Sequence, residues 1–533
     1  MSVVLWCRKN GSVRRVSAVA AAALATALIT LPTGAAHSYT GGSTALAPGA
    51  QAAVCTAGTE ADFNGDGIRD IAIADPDATV NDQTTAGLVR VVLGGGKGTS
   101  ELSQALPGSA AGPEAGDRFG YSLDTYDVDR DGCTDLVVGA PYEDVVRDGV
   151  NQLDAGLIHV IHGSPTGIGA GSVINTYSQA GFVSDATNEA GDLFGFSLAA
   201  GETSGGKPFL AVGVPGEDVG AATDAGCIQY VQDTTKVGVT QDDAGVPGAV
   251  ETNDRFGASL VATERFFAVG TPGEAVGTQT FAGMVTVFNH TVAGGLPTPL
   301  LGMEEEHPAL VSGTAEADDR FGTALAILPY RPQGAASATD VLLAIGTPNE
   351  DVGDVRDAGA VTVVQVKPTG VVTEVNLIDR LSPDVEGDPV ISDFFGQRVA
   401  LADTTPGAVG TAATVKLAVS VPNQEVGAAE NAGAVQVLPG LGAPGAGDRI
   451  LTRGDGLLPG TAGAREFAGM GLWATSTDLY VGVPSSKGDD APKGLVNTVP
   501  WAAVAAGTGT VQTFEPGAGG LPDEGKAFGA VVR

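Results

Sequence analysis

Aligned on Phe-Gly, the chain recurs seven times: Phe119-Gly120, Phe194-Gly195, Phe256-Gly257, Phe321-Gly322, Phe395-Gly396, the variant Phe467-Ala468, and Phe528-Gly529. Seven times a short apolar run ends in proline, at Pro76, Pro141, Pro215, Pro272, Pro348, Pro422 and Pro484. A recurrence this regular dictates a repeat architecture, because 533 residues exceed what one ordinary core serves. Each period reads as four short β runs; the second gives FGYSLDTYDV, TDLVVGAP, AGLIHVIHG and SVINTYSQA. One such sheet cannot bury both faces. Seven arranged radially can, each packing on two neighbours, and the expectation is an all-β, seven-bladed β-propeller with little helix.

Glycine after Phe suits close backbone approach, and proline ends a ladder because it has no N–H to give. The two series are out of phase: the first proline block has no Phe-Gly before it, and the last Phe-Gly has no proline after it. The simplest repair is circular, with the C-terminal FGAVVR supplying the missing strand of the first blade and hiding an edge. AVCTAG around Cys55 is the competing candidate for that place.

On these motifs the chain resembles the FG-GAP repeat family, best known from the β-propeller heads of integrin α subunits. The resemblance covers about Cys55 to Arg533, so residues 55–533 are read as the propeller. It implies a non-catalytic binding or adhesion role through loops on one face. Integrin leg domains, an inserted ligand-binding domain and a membrane span have no counterpart in the sequence, so receptor signalling does not carry over.

Residues 1–36 read as a signal peptide: Arg8, Lys9, Arg14 and Arg15 precede an apolar run from Val16 to Leu31 and a small-residue GAA. Residues 37–54 are a linker, and the expected location is extracellular. No later apolar stretch approaches the roughly 20 residues that span a bilayer. Loss of those four cations takes the net charge from −34 to −38, which disfavours nucleic acid and anionic lipid as partners. The mature chain is expected to be a monomer that meets an extracellular protein or polysaccharide.

Two acidic loops carry the chemistry. Asp62, Asn64, Asp66 and Asp70 offer side-chain oxygens at positions 1, 3, 5 and 9 of a loop that turns at Gly67, with the Ile68 carbonyl at position 7. Asp127, Asp129, Asp131 and Asp135, with the Cys133 carbonyl and Gly132, repeat the spacing. Alternate residues of a tight loop converge hard oxygens on one centre, as in the early part of an EF-hand loop, so two calcium sites are expected. No basic cluster stands beside them in sequence, and Arg69 and Arg130 are expected to face solvent. In later blades the equivalent stretches have lost the pattern, which gives two sites rather than seven.

Catalytic motifs find little support. His159 and His162, three apart on a strand, face opposite ways, and no G-x-S-x-G, H-E-x-x-H or C-x-x-C appears. GGGKGTS from Gly94 reads as a turn. Glu143, Glu217, Glu274 and Glu350, two residues past their prolines, either form a carboxylate ring on one face or satisfy backbone donors in equivalent turns. The same structural reading applies to Asp117, Asp192, Asp254, Asp319 and Asp393 ahead of Phe-Gly. An exported hydrolase built on loop carboxylates is the alternative function. A polysaccharide-binding face is disfavoured by an aromatic content of 5%. Adjacent blades can bring Cys55 and Cys133 together as a disulfide, which leaves Cys227 free in the core, although pairing cannot be deduced from sequence. Arg453-Gly454-Asp455 is attributed to chance in a chain rich in Gly and Asp.

Overall fold

The computed structural model describes residues 55–56, 60–184, 186–486 and 493–533; the expected signal peptide (1–36) and linker (37–54) lie outside them. Seven four-stranded antiparallel sheets form the blades of a propeller. In blade 2 the strands run Ser122–Tyr126, Asp135–Ala140, Leu157–Ile161 and Ile174–Ser178 from the axis outward. The second strand, DLVVGA, is buried along its whole length because both faces of its sheet pack on neighbouring blades. Among the described residues, α-helix is confined to Gln179–Phe182 and Trp501–Ala506.

The ring closes through the chain end. Val531–Val532 pairs antiparallel with Ile71–Asp75, in register Ile73 with Val532 and Ala74 with Val531, and completes blade 1. Ala72 and Arg533 exchange backbone hydrogen bonds of 2.8 and 2.9 Å on the same seam. The competing candidate, Cys55, lies in no strand. The innermost strands touch one another in sequence around the axis, and Val531–Val532 meets Ser122–Tyr126 of blade 2 to finish the circle.

The recurring motifs are the joints of this ring. Phe119, Phe194, Phe256, Phe321, Phe395 and Phe528 are fully buried, each contributing about 1.5–3 kcal/mol of apolar burial. The following glycine donates its N–H to the carbonyl two residues before the proline of its own blade: Gly120 to Gly139 at 3.0 Å, Gly322 to Gly346 at 3.2 Å, Gly529 to Ala74 at 2.9 Å. The Phe N–H donates backward to an alanine of the preceding blade, Phe119 to Ala86 at 2.9 Å and Phe321 to Ala282 at 2.8 Å. The glycine after that alanine is obligatory: a Cβ on Gly283 would stand 2.2 Å from the Phe321 carbonyl oxygen, at φ +94°.

One alignment needs correcting. In blade 7 the hydrogen bonds that define the joint come from Ala468, to Ala432, and Gly469, to Gly482. Ala468-Gly469 therefore takes the Phe-Gly place. Phe467, at φ 52°, occupies the position that Arg118 holds in blade 2.

Cys55 and Cys133 are joined by a disulfide. Cys227 is buried but is not the free thiol the sequence suggested, since no described cysteine is free.

Candidate metal centre

Both acidic loops lead into the second strand of their blades, Ile71–Asp75 and Asp135–Ala140. Their first halves are built alike, by side-chain oxygens that accept the loop's own N–H groups. Asp62 accepts from Asp66 at 3.0 Å and from Gly67 at 2.7 Å, while Asn64 accepts from Asp66 at 3.0 Å. In the second loop Asp127 accepts from Asp131 at 3.2 Å and Gly132 at 3.0 Å, and Asp129 accepts from Asp131 at 3.2 Å. Asp66 accepts from Ile68, and Asp131 from Cys133, each at 2.8 Å. These bonds draw positions 1, 3 and 5 to a common centre. In the second loop the carboxylate oxygens of Asp127, Asp129 and Asp131 lie within 4.8 Å of one another.

Position 9 is a brace. Asp70 accepts from Phe63 at 2.8 Å and Gly94 at 2.7 Å, and Asp135 accepts from Val128 at 2.9 Å and Gly163 at 3.0 Å, so each ties its loop to the turn after the third strand. Burial pushes both carboxyls up to about 6 against the pull of those N–H donors. At position 7, Ile68 is exposed and Cys133 is buried in its disulfide.

The two loops form one unit. Thr134 donates to the Asp62 carbonyl at 2.9 Å, Ser164 to the Phe63 carbonyl at 3.1 Å, and the disulfide adds a covalent tie. Gly65 makes room for it: a Cβ there would stand 2.5 Å from the Cys55 Cβ.

Two neighbours were invisible in the linear spacing. The Lys97 ammonium, from the GGGKGTS turn, pairs with Asp66 and holds its carboxyl below the usual range. His162 places Nδ1 3.4 Å from Asp129 and 3.5 Å from Asp135. Arg69 does not face solvent as expected; it is half-buried, donates to the Glu60 carbonyl at 3.0 Å and lies over the Tyr480 ring. Arg130 is exposed. His159 packs its ring on Phe119 in the core, where burial pushes it down to about 4.

The donor set suits a hard cation: carboxylate and amide oxygens at fixed short spacing, with one imidazole at the margin of the second loop. The first loop presents the same oxygens with an ammonium already against one of them.

The repeated acids do not ring a face. Glu143, Glu217 and Glu274 are buried between blades and accept side-chain amide bonds from Gln104 (2.6 Å), Gln179 (2.6 Å) and Gln241 (2.5 Å), and Glu274 also accepts from the Ala249 backbone. Asp192 accepts from the Glu189 N–H at 2.6 Å, and Asp117, Asp254 and Asp319 accept in the same way from Glu114, Glu251 and Glu316. Asp393 pairs instead with Arg380 at 3.0 Å. Arg453 of the Arg-Gly-Asp tripeptide is half-buried against Ser486 (2.6 Å) and Glu466 (3.4 Å), and Asp455 accepts from Leu457 and Leu458. The tripeptide is a structural turn.

The FG-GAP repeat family matches residues 119–161, and the FG-GAP-like repeat matches residues 62–138, across both acidic loops. The chain carries FG-GAP repeats. It is similar to the integrin alpha-PS2 of Drosophila melanogaster, 35% identical over 166 residues, covering 30% of this chain and 11% of that protein. It is also similar to the phosphatidylinositol-glycan-specific phospholipase D of Dictyostelium discoideum, 27% identical over 220 residues, 38% of this chain and 22% of the relative. The chain thus spans well under half the length of either curated relative. Among solved structures, the crystal structure of the Saccharomyces cerevisiae Sqt1 covers 87% of this chain and 96% of its own at 8% identity, with a TM-score of 0.38 that carries no argument. Among the described residues of this FG-GAP propeller, no helix is long and apolar enough to cross a membrane.

Proposed function

We propose that the chain is an exported, calcium-binding propeller that binds an extracellular protein through loops on one face, without chemical turnover. The acidic loops and the turns after the prolines sit at opposite ends of the same second strands, so calcium braces one face and leaves the other for a ligand. Asp62, Asn64 and Asp66 would hold one ion, and Asp127, Asp129 and Asp131 the other, with the Ile68 and Cys133 carbonyls completing the sets. With dissociation constants around 10⁻⁴ to 10⁻³ M, as in extracellular modules, millimolar calcium would contribute roughly 1 kcal/mol per site.

One observation carries the choice of face. In five blades the turn after the proline is closed by a single bridge, such as Val219 with Ala222 or Val352 with Val355. In blade 2 that turn is enlarged into a hairpin, Val145–Arg147 paired with Val150–Gln152. Val146 and Val150 on it are 69% and 60% exposed. Exposed branched side chains on a projecting hairpin suit an apolar protein surface better than a sugar. Three of the four glutamates a hydrolase would draw on, Glu143, Glu217 and Glu274, are buried between blades and engaged by glutamine amides.

Retention of the mature protein on matrix proteins, glycans and cell-wall polymers, with calcium and then chelator, tests the reading, with cleavage assayed in the same wells. Selective retention on a protein, lost on a Val146→Asp/Val150→Asp variant, is the expected result. Absence of retention removes the binding role, and cleaved polymer replaces it with the hydrolase.

A further inference from the structure

Six of the junctions between successive blades share one buried polar layer built from three positions: a residue just past the outermost strand, the residue two after the proline, and the residue two before the Phe-Gly place. Three junctions hold Gln104, Glu143 and Asp117; Gln179, Glu217 and Asp192; and Gln241, Glu274 and Asp254, where an amide donates to the glutamate. Two hold an arginine: Arg380 with Asp393, where Gln424 stands two after the proline, and Arg453 with Glu466 and Ser486. Where blades 4 and 5 meet, the same positions are Glu305, Glu350 and Asp319, and the layer contains three acids and no donor of that kind.

Burying a carboxylate without a hydrogen-bond donor or a cation is costly, and the sister junctions show the ordinary solutions, an amide or a guanidinium. Glu305 has neither. It is 2% exposed, and both its carboxyl oxygens, together with one of Glu350, are buried away from any donor other than a neighbouring acid, the Asp319 carboxyl. Carboxylate oxygens of Glu305, Asp319 and Glu350 lie within 4.8 Å of one another, a spacing at which one ion can reach all three at roughly 2.3–2.6 Å. The set contains neither nitrogen nor sulfur, which selects a hard cation over zinc or copper.

We infer that Glu305, Asp319 and Glu350 bind a hard divalent cation of the calcium class at the junction of blades 4 and 5. The ion takes the place of the glutamine or arginine that cross-links the same layer elsewhere in the ring. This site is separate from the two acidic loops and stands whether or not they bind calcium.

Equilibrium dialysis of the mature protein against calcium, and separately manganese, counts bound ions for the wild type, Glu305→Gln and the loop variant Asp131→Asn. Glu305→Gln rebuilds the arrangement of three sister junctions. Glu350→Gln, which copies Gln424 of another junction, serves if that variant does not fold. The expected result is one ion fewer for either junction variant, a smaller rise of melting temperature on adding calcium, and an undiminished junction ion in Asp131→Asn. Equal counts of both ions for the wild type and the junction variants overturn the inference. So does a Glu305→Gln protein that melts higher in chelator with its ion count unchanged, because three acids sharing protons would then explain the cluster.

Discussion

The Arg533 guanidinium stands 3.9 Å above the centre of the Trp473 ring. It also reaches Asp124 of blade 2 at 3.3 Å, so one side chain beside the closing strand touches both flanking blades. Phe528 is buried under the same seam. Phe528→Ala is expected to cost about 3–5 kcal/mol, and deletion of residues 528–533 to lower the melting temperature further by leaving Ile71–Asp75 an open edge. Thermal melts of the two variants check this, and an unchanged melt for the deletion would contradict closure.

Gly283 and Gly277 separate two reasons for glycine. Both have positive φ, but a Cβ on Gly283 meets the Phe321 carbonyl at 2.2 Å, whereas one on Gly277 meets nothing within 4 Å. Gly277→Ala should cost about 1–2 kcal/mol from backbone conformation alone. Gly283→Ala should cost clearly more, because the joint between blades 4 and 5 must open. Urea unfolding of both variants measures the difference.

Lys97 competes with any ion at the first loop, because its ammonium already neutralises Asp66. Lys97→Gln should tighten calcium binding at that loop several-fold and leave the second loop unchanged. The gain should shrink at high ionic strength, as expected of an exposed pair. Calorimetric titration at two salt concentrations reads both effects.

Buried acids between blades set a pH dependence. Burial first, then the Glu217 charge, pushes the Asp192 carboxyl up to about 9, and burial with Asp117 pushes Glu143 up to about 8. In the unfolded chain such groups titrate near 4, so the folded state keeps protons that the unfolded state releases. Their contribution is fully present below about pH 4 and is lost as pH rises through 8 to 9. Unfolding free energy measured in urea at pH 5, 7 and 9 should fall, and Asp192→Asn should flatten the slope.

What could be read from the sequence was whatever repeats. The blade number, the four strands of the second period and the circular closure all follow from the phase of Phe-Gly against proline. Phe467 misled because local similarity put Phe467-Ala468 in register, whereas Ala468 and Gly469 make the joint's hydrogen bonds. Partners from a different turn stayed hidden: Lys97 lies 31 residues from Asp66, and Gln104 lies 39 residues from Glu143. Neither separation is encoded in a local period. The burial of Glu305 emerges only when six junctions are compared in space.

The closing seam also has a kinetic meaning. The Lys526 N–H donates to Asp75 at 2.9 Å across 451 residues of chain. Bringing such distant segments together costs about 5 kcal/mol of loop-closure entropy if attempted early, and far less once the intervening blades have condensed and carried the ends together. Blade 1 therefore waits, three-stranded and with the inner edge of Ile71–Asp75 open, until the last residues arrive. During that interval an edge strand is offered to any other strand nearby, including the same edge of another nascent molecule.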